Sequence, residues 1–107
     1  MKFNERVEIV ERVIDLLKHN KINQNQKEQV YNIVMNINNK TDKQKDRFTK
    51  FYNLQPLQEK HYTLSEIAKQ YGCSISAINY SIISIRAALF RVSEDEILIL
   101  QKIAKNN

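Results

Sequence analysis

The sequence predicts an all-α protein, a helical bundle of five to six helices that contains a helix-turn-helix. Three observations predict it. Apolar residues recur three and four positions apart along most of the chain, the spacing that gathers them on one side of a helix. Residues able to cap a helix stand just before these runs, several with Gln or Glu three positions later. The 107 residues include one glycine and one proline, too few for the tight turns of a many-stranded sheet.

Taken in order, Asn4 is expected to cap a first helix that runs to about Lys18. Val7, Val10, Ile14 and Leu17 form its apolar stripe, widened by Phe3, Val13 and Leu16. The polar segment from His19 to Asn25 turns the chain. Asn25 with Glu28 then caps a second helix carrying Val30, Ile33, Val34 and Ile37, which ends in the stretch Asn36, Asn38, Asn39. Thr41 and Gln44 open a third helix with Phe48, Phe51 and Tyr52 inward, and the segment 53–62, which holds Pro56, is a loop.

The most informative stretch is Thr63 to Leu89, two short helices around a tight turn. Thr63 and Glu66 form a capping box, after which Leu64, Ile67, Ala68 and Tyr71 fall at helical spacing. Gly72 can adopt positive φ, and Ser74 caps the next helix with Ile78, Ile82, Ile85 and Leu89 on one stripe. Such a pair can set its second helix in the DNA major groove. Ser93 and Glu96 open a last helix lined by Ile97, Leu100 and Ala104, with Leu98, Ile99 and Ile103 broadening its apolar side.

A chain of this length suits one domain that buries roughly 60–68% of its unfolded surface, without help from metals or disulfides. Cys73 has no second cysteine to bridge to, and no run of 18 apolar residues occurs, so a cytoplasmic protein with no membrane partner is expected. Net charge is +5, which suits an anionic partner. Its distribution says more: residues 40–50 hold Lys40, Lys43, Lys45, Arg47 and Lys50 against Asp42 and Asp46, while 67–91 hold Lys69, Arg86 and Arg91 with no acid.

On these residues, Thr41 to Arg91 resembles region 4 of bacterial sigma factors, the four-helix domain that binds promoter DNA and RNA polymerase. TDKQKDRFTKFYNL is similar to the family's first helix and turn, with Asn53 in place of the usual glycine, and TLSEIAKQYGCS is similar to its signature before the recognition helix. The resemblance covers about half the chain and implies a region 4-like unit at 41–91. It is flanked by an amino-terminal helical extension at 1–40 and a carboxy-terminal helix at 92–107, all in one compact domain. The recognition helix begins Ile75, Ser76, Ala77, then Asn79 and Tyr80, where the family carries Arg and Glu, and Ser81 stands where the family prefers an apolar residue. Nothing in 1–40 resembles the other regions of a complete sigma factor. The resemblance points instead to a small phage or plasmid regulator.

The expected function is therefore sequence-specific binding of double-stranded DNA. Asn79 is the base reader, since its amide can pair bidentately with adenine, the alternative being a plain surface residue; Tyr80 packs on a thymine methyl or donates to phosphate, or else packs against a neighbouring helix. Lys69, Arg86 and Arg91 contact phosphate, Ser76 allows close approach, and Ser74 serves as cap and phosphate contact. The alternative for Arg86 is a salt bridge to Glu94 or Glu96. The alternative function is a protein-binding adaptor that contacts RNA polymerase or another regulator. The apolar faces of the first two helices and of Ile75, Ile82, Ile83, Ile85 and Phe90 must either pack on one core or pair between copies, and a homodimer is favoured over a monomer because a small module gains contact area by reading two half-sites. His19 and His61 lack neighbours at metal-ligand spacing, and Cys73 is expected to be a small inward hydrophobe. No metal, cofactor or enzymatic activity is expected.

Overall fold

The computed structural model describes residues 1–106. Helices α1 (Phe3–Lys18), α2 (Gln24–Met35), α3 (Asp42–Phe51), α4 (Leu64–Tyr71), α5 (Ile75–Leu89) and α6 (Glu94–Lys105) follow one another. No strand occurs among the described residues, and no single helix there is long and apolar enough to cross a membrane.

Helix starts follow the side chains that can satisfy free backbone N–H groups. Reciprocal capping boxes open α3 at Thr41 and Gln44, α4 at Thr63 and Glu66, and α6 at Ser93 and Glu96, as the sequence predicts. Two starts differ. The box of α2 is made by Asn23 and Gln26, with bonds of 2.8 and 3.0 Å, so Asn25 already lies inside the helix and Glu28 caps nothing. Buried Ile22 anchors the chain just ahead of this earlier start. In α1 the cap position falls to Lys2, whose side chain makes no capping bond, and Asn4 bonds only its neighbour's N–H at 3.1 Å. Tertiary contacts hold this first turn instead: the Phe3 ring meets Phe90 edge-on at 6.0 Å, and the amino terminus pairs with Glu94 at 2.9 Å.

The second helix also ends sooner than its apolar spacing suggests. Asn36 is its C-cap, and the Lys45 ammonium, buried on α3, donates to the carbonyl of Met35 at 2.9 Å. A carbonyl left without an intrahelical partner thus takes a cation from the next helix.

Packing sets α3 and α4 against α5, runs α1 along α6, and lets α2 span α3 and α6. One cluster joins Val10, Ile14 and Leu17 of α1 to Val34, Phe48, Ile67, Ile78, Ile85, Leu89 and Ile97. The apolar faces of α1 and α2 are thereby covered within the chain, each large side chain contributing about 1.5–3 kcal/mol. The radius of gyration, 13.2 Å, is that of a single packed body of this length, where about 13 Å is expected. Some apolar residues remain outside. Leu98 and Ile99, expected to broaden the core side of α6, are 49% and 36% exposed, and on α5 Ile75 and Ile83 stay uncovered.

Candidate nucleic-acid interface

The segment α4–turn–α5 is built by local chemistry. Thr63 and Glu66 exchange bonds of 3.0 and 3.1 Å, and these bonds hold the Glu66 carboxyl below its usual range. At the other end Gly72 adopts φ 64°, ψ 37°, while the Cys73 N–H reaches back to the Ala68 carbonyl at 3.1 Å, closing α4. A Cβ at Gly72 would meet no heavy atom within 4 Å, so the glycine is there for its backbone angle alone. Two residues on, the Ser74 hydroxyl accepts from the Ala77 N–H at 3.1 Å and starts α5.

Along α5 the inner face holds Ile78, Ser81, Ile82, Ile85 and Leu89. The outer face holds Ser76, Asn79, Tyr80, Ile83 and Ala87, all exposed. Neither the Asn79 nor the Tyr80 side chain, the latter residue 69% exposed, has a hydrogen-bond partner among the described residues. No acid occurs on α5, and exposed Lys69 lies in the last turn of α4 just before the glycine. Lys69, Ser74, Ser76, Asn79 and Tyr80 are thus all exposed along the stretch from the last turn of α4 to the second turn of α5.

Arg86 and Arg91 are not with them. At 1.5 Å per residue Arg86 lies about 15 Å along the α5 axis from Ser76, and Arg91 lies past the helix end, after the C-cap Phe90. Arg86 is bound to Glu11 of α1 at 2.5 Å, a partner different from the expected Glu94 or Glu96. Glu94 is taken by the amino terminus and Arg6, and Glu96 by Ser93. The guanidinium of Arg91 lies 4.8 Å from the centre of the Phe3 ring.

Much of the positive charge at 40–50 is also occupied. Lys45 is spent on Met35, and Lys50 on Asp46 at 3.2 Å and Gln70 at 3.1 Å. Arg47 points inward. Its Nη1 donates to Ser81 Oγ at 2.8 Å, its Nη2 stands 3.9 Å from the Cys73 sulfur, and its guanidinium lies 4.6 Å from the Tyr71 ring centre. Ser81, in turn, donates to the Ala77 carbonyl at 3.2 Å. A serine where the resemblance prefers an apolar residue is thus matched by an arginine from α3.

Beside this bond, the Tyr71 hydroxyl donates to Asp46, which also accepts from Gln55 at 2.5 Å. Burial pushes the Asp46 carboxyl up, but bonds from Tyr71, Gln55 and Lys50 outweigh it and hold the group below its usual range. The Tyr71 phenol moves up, first by burial and then by its bond to Asp46. Sequence reasoning missed this network because Tyr71 fits an apolar stripe and Arg47 a basic patch. The one visible signal was Ser81.

His61 likewise has a structural place, with Nδ1 3.0 Å from the Phe51 carbonyl and Nε2 2.9 Å from the Asn20 amide. Among the described residues no group of His, Cys, Asp and Glu is placed to hold a metal ion. No protein-family model, curated protein or solved structure matches this chain.

Proposed function

We propose that this chain is a transcription regulator that binds double-stranded DNA, with α4 and α5 acting as a helix-turn-helix and α5 as its recognition helix. The outer face of α5 carries the reading: Asn79 and Tyr80 offer unspent hydrogen-bonding groups beside a left-handed glycine turn, on a helix without a carboxylate. The likeness of 41–91 to sigma region 4 supports it further. Asn79 reads adenine, Tyr80 reads a thymine methyl or phosphate, and Lys69 contacts phosphate near the turn. Arg86 and Arg91 add phosphate contacts at the far end only by leaving Glu11 and the Phe3 ring, so Lys69 is the more informative cation to remove.

Selection from a random duplex pool, followed by titration at several salt concentrations, tests this reading. Affinity falls with salt in proportion to the phosphates neutralised. Asn79→Ala costs about 1–3 kcal/mol at one base pair and relaxes preference there, whereas Lys69→Ala weakens all sequences alike. An unenriched pool, or unchanged preference in folded Asn79→Ala, refutes it.

A second reading draws on Ile75 and Ile83, which lie 49% and 54% exposed on the same helix. An adaptor that binds RNA polymerase or another regulator through α5 would bury them. Binding to purified polymerase without DNA, lost in Ile83→Asp, together with an unenriched pool, would favour the adaptor.

A further inference from the structure

We propose that two copies of this chain pair through the outward face of α6, antiparallel, about a two-fold axis beside Leu98 and Ile99. The helix carries Glu94, Asp95 and Glu96 in its first turn and Lys102 and Lys105 in its last. Between them, Leu98 and Ile99 are 49% and 36% exposed. A two-fold contact is self-complementary: whatever residue meets a second residue is met by it in return. The register that centres Leu98 and Ile99 on the axis sets Asp95 of each copy opposite Lys102 of the other. Asp95, Leu98 and Lys102 share one helix face, because residues three and four apart are neighbours there.

The charges at issue are free to act. Glu94 already holds the amino terminus and Arg6, but neither Asp95 nor Lys102 has an ion-pair partner among the described residues. An acidic start and a basic end suit the helix dipole as well. The dipole does not account for two large aliphatic side chains exposed between them. Parallel pairing would set like charges together, so the arrangement selects the antiparallel one. One face of a twelve-residue helix, about 18 Å long, falls short of a standard interface, and the dimer is accordingly a weak one. Its formation is independent of DNA binding by α5.

Sedimentation equilibrium of the full chain, from about 10 μM to about 1 mM, reads the association directly. The expected result is a concentration-dependent dimer that weakens about tenfold or more in Asp95→Lys and in Lys102→Asp, since each change sets like charges opposite one another twice. Mixing these two variants restores the opposite charges across the axis and recovers affinity to within about threefold. Should either variant fail to fold, as judged by circular dichroism, Leu98→Asn at the same exposed face must abolish the dimer. A monomeric mass at every concentration overturns the proposal. So does a dimer that is indifferent to the charge reversals or to Leu98→Asn.

Discussion

Replacing Tyr71 by Phe keeps the ring over which Arg47 lies and removes only the hydroxyl that donates to Asp46. A hydrogen bond to a charged group contributes about 1.5–3 kcal/mol. Here the figure is discounted, because the Asp46 side chain is 36% exposed and Gln55 and Lys50 remain as donors. About 1–2 kcal/mol is expected at neutral pH, or a fall in Tm of about 4–8 °C per kcal/mol. The pH dependence follows from two opposite shifts. Asp46 titrates lower in the folded chain than its unfolded value near 3.9, so its contribution is present above that value and is lost as pH falls through the folded one. Tyr71 titrates higher than its unfolded value near 10, so its contribution is present below that value and is lost as pH rises through the folded one. The difference between wild type and Tyr71→Phe is therefore greatest across the neutral range. In acid it shrinks toward the ~0.5–1 kcal/mol of a neutral bond. Urea unfolding followed by circular dichroism at about pH 7 and at successively lower pH values measures both. No loss at pH 7, or a loss that does not shrink as Asp46 is protonated, would refute the assignment of Asp46 as the acceptor that matters.

Gly72→Ala should cost about 1–2 kcal/mol in thermal unfolding, the cost of the left-handed backbone alone, since the added carbon meets nothing within 4 Å. A loss well above about 3 kcal/mol would mean that the turn has neighbours the geometry omits. Arg47→Ala should cost about 2–3 kcal/mol and Ser81→Ala about 1, and the double variant should fall short of their sum by about 1 kcal/mol. Additive losses would show that the 2.8 Å bond between α3 and α5 contributes nothing.

What the sequence determined by itself was local. Thr41, Thr63, Ser74 and Ser93 cap their helices because each needs only an N–H two or three residues away. Gly72 and Asn53 turn the chain because their own φ values, 64° and 57°, are ones these two residue types tolerate. The buried stripe of α5 was legible too, because helical spacing gathers Ile78, Ile82, Ile85 and Leu89 whatever lies opposite. Spacing does not say which polar residues will meet across the core. Arg47 and Ser81 are 34 residues apart, Asp46 and Tyr71 25, Glu11 and Arg86 75, and each pair forms only once the two helices that carry its members are held in place. That docking turned cations that read as a basic patch into internal ties. It also left Ser76, Asn79 and Tyr80 as open polar groups on α5, and Leu98 and Ile99 partly exposed on α6. A capping bond closes over a few residues and costs little chain entropy, whereas a pair distant in sequence is held only when the packed core has already ordered the chain between its members.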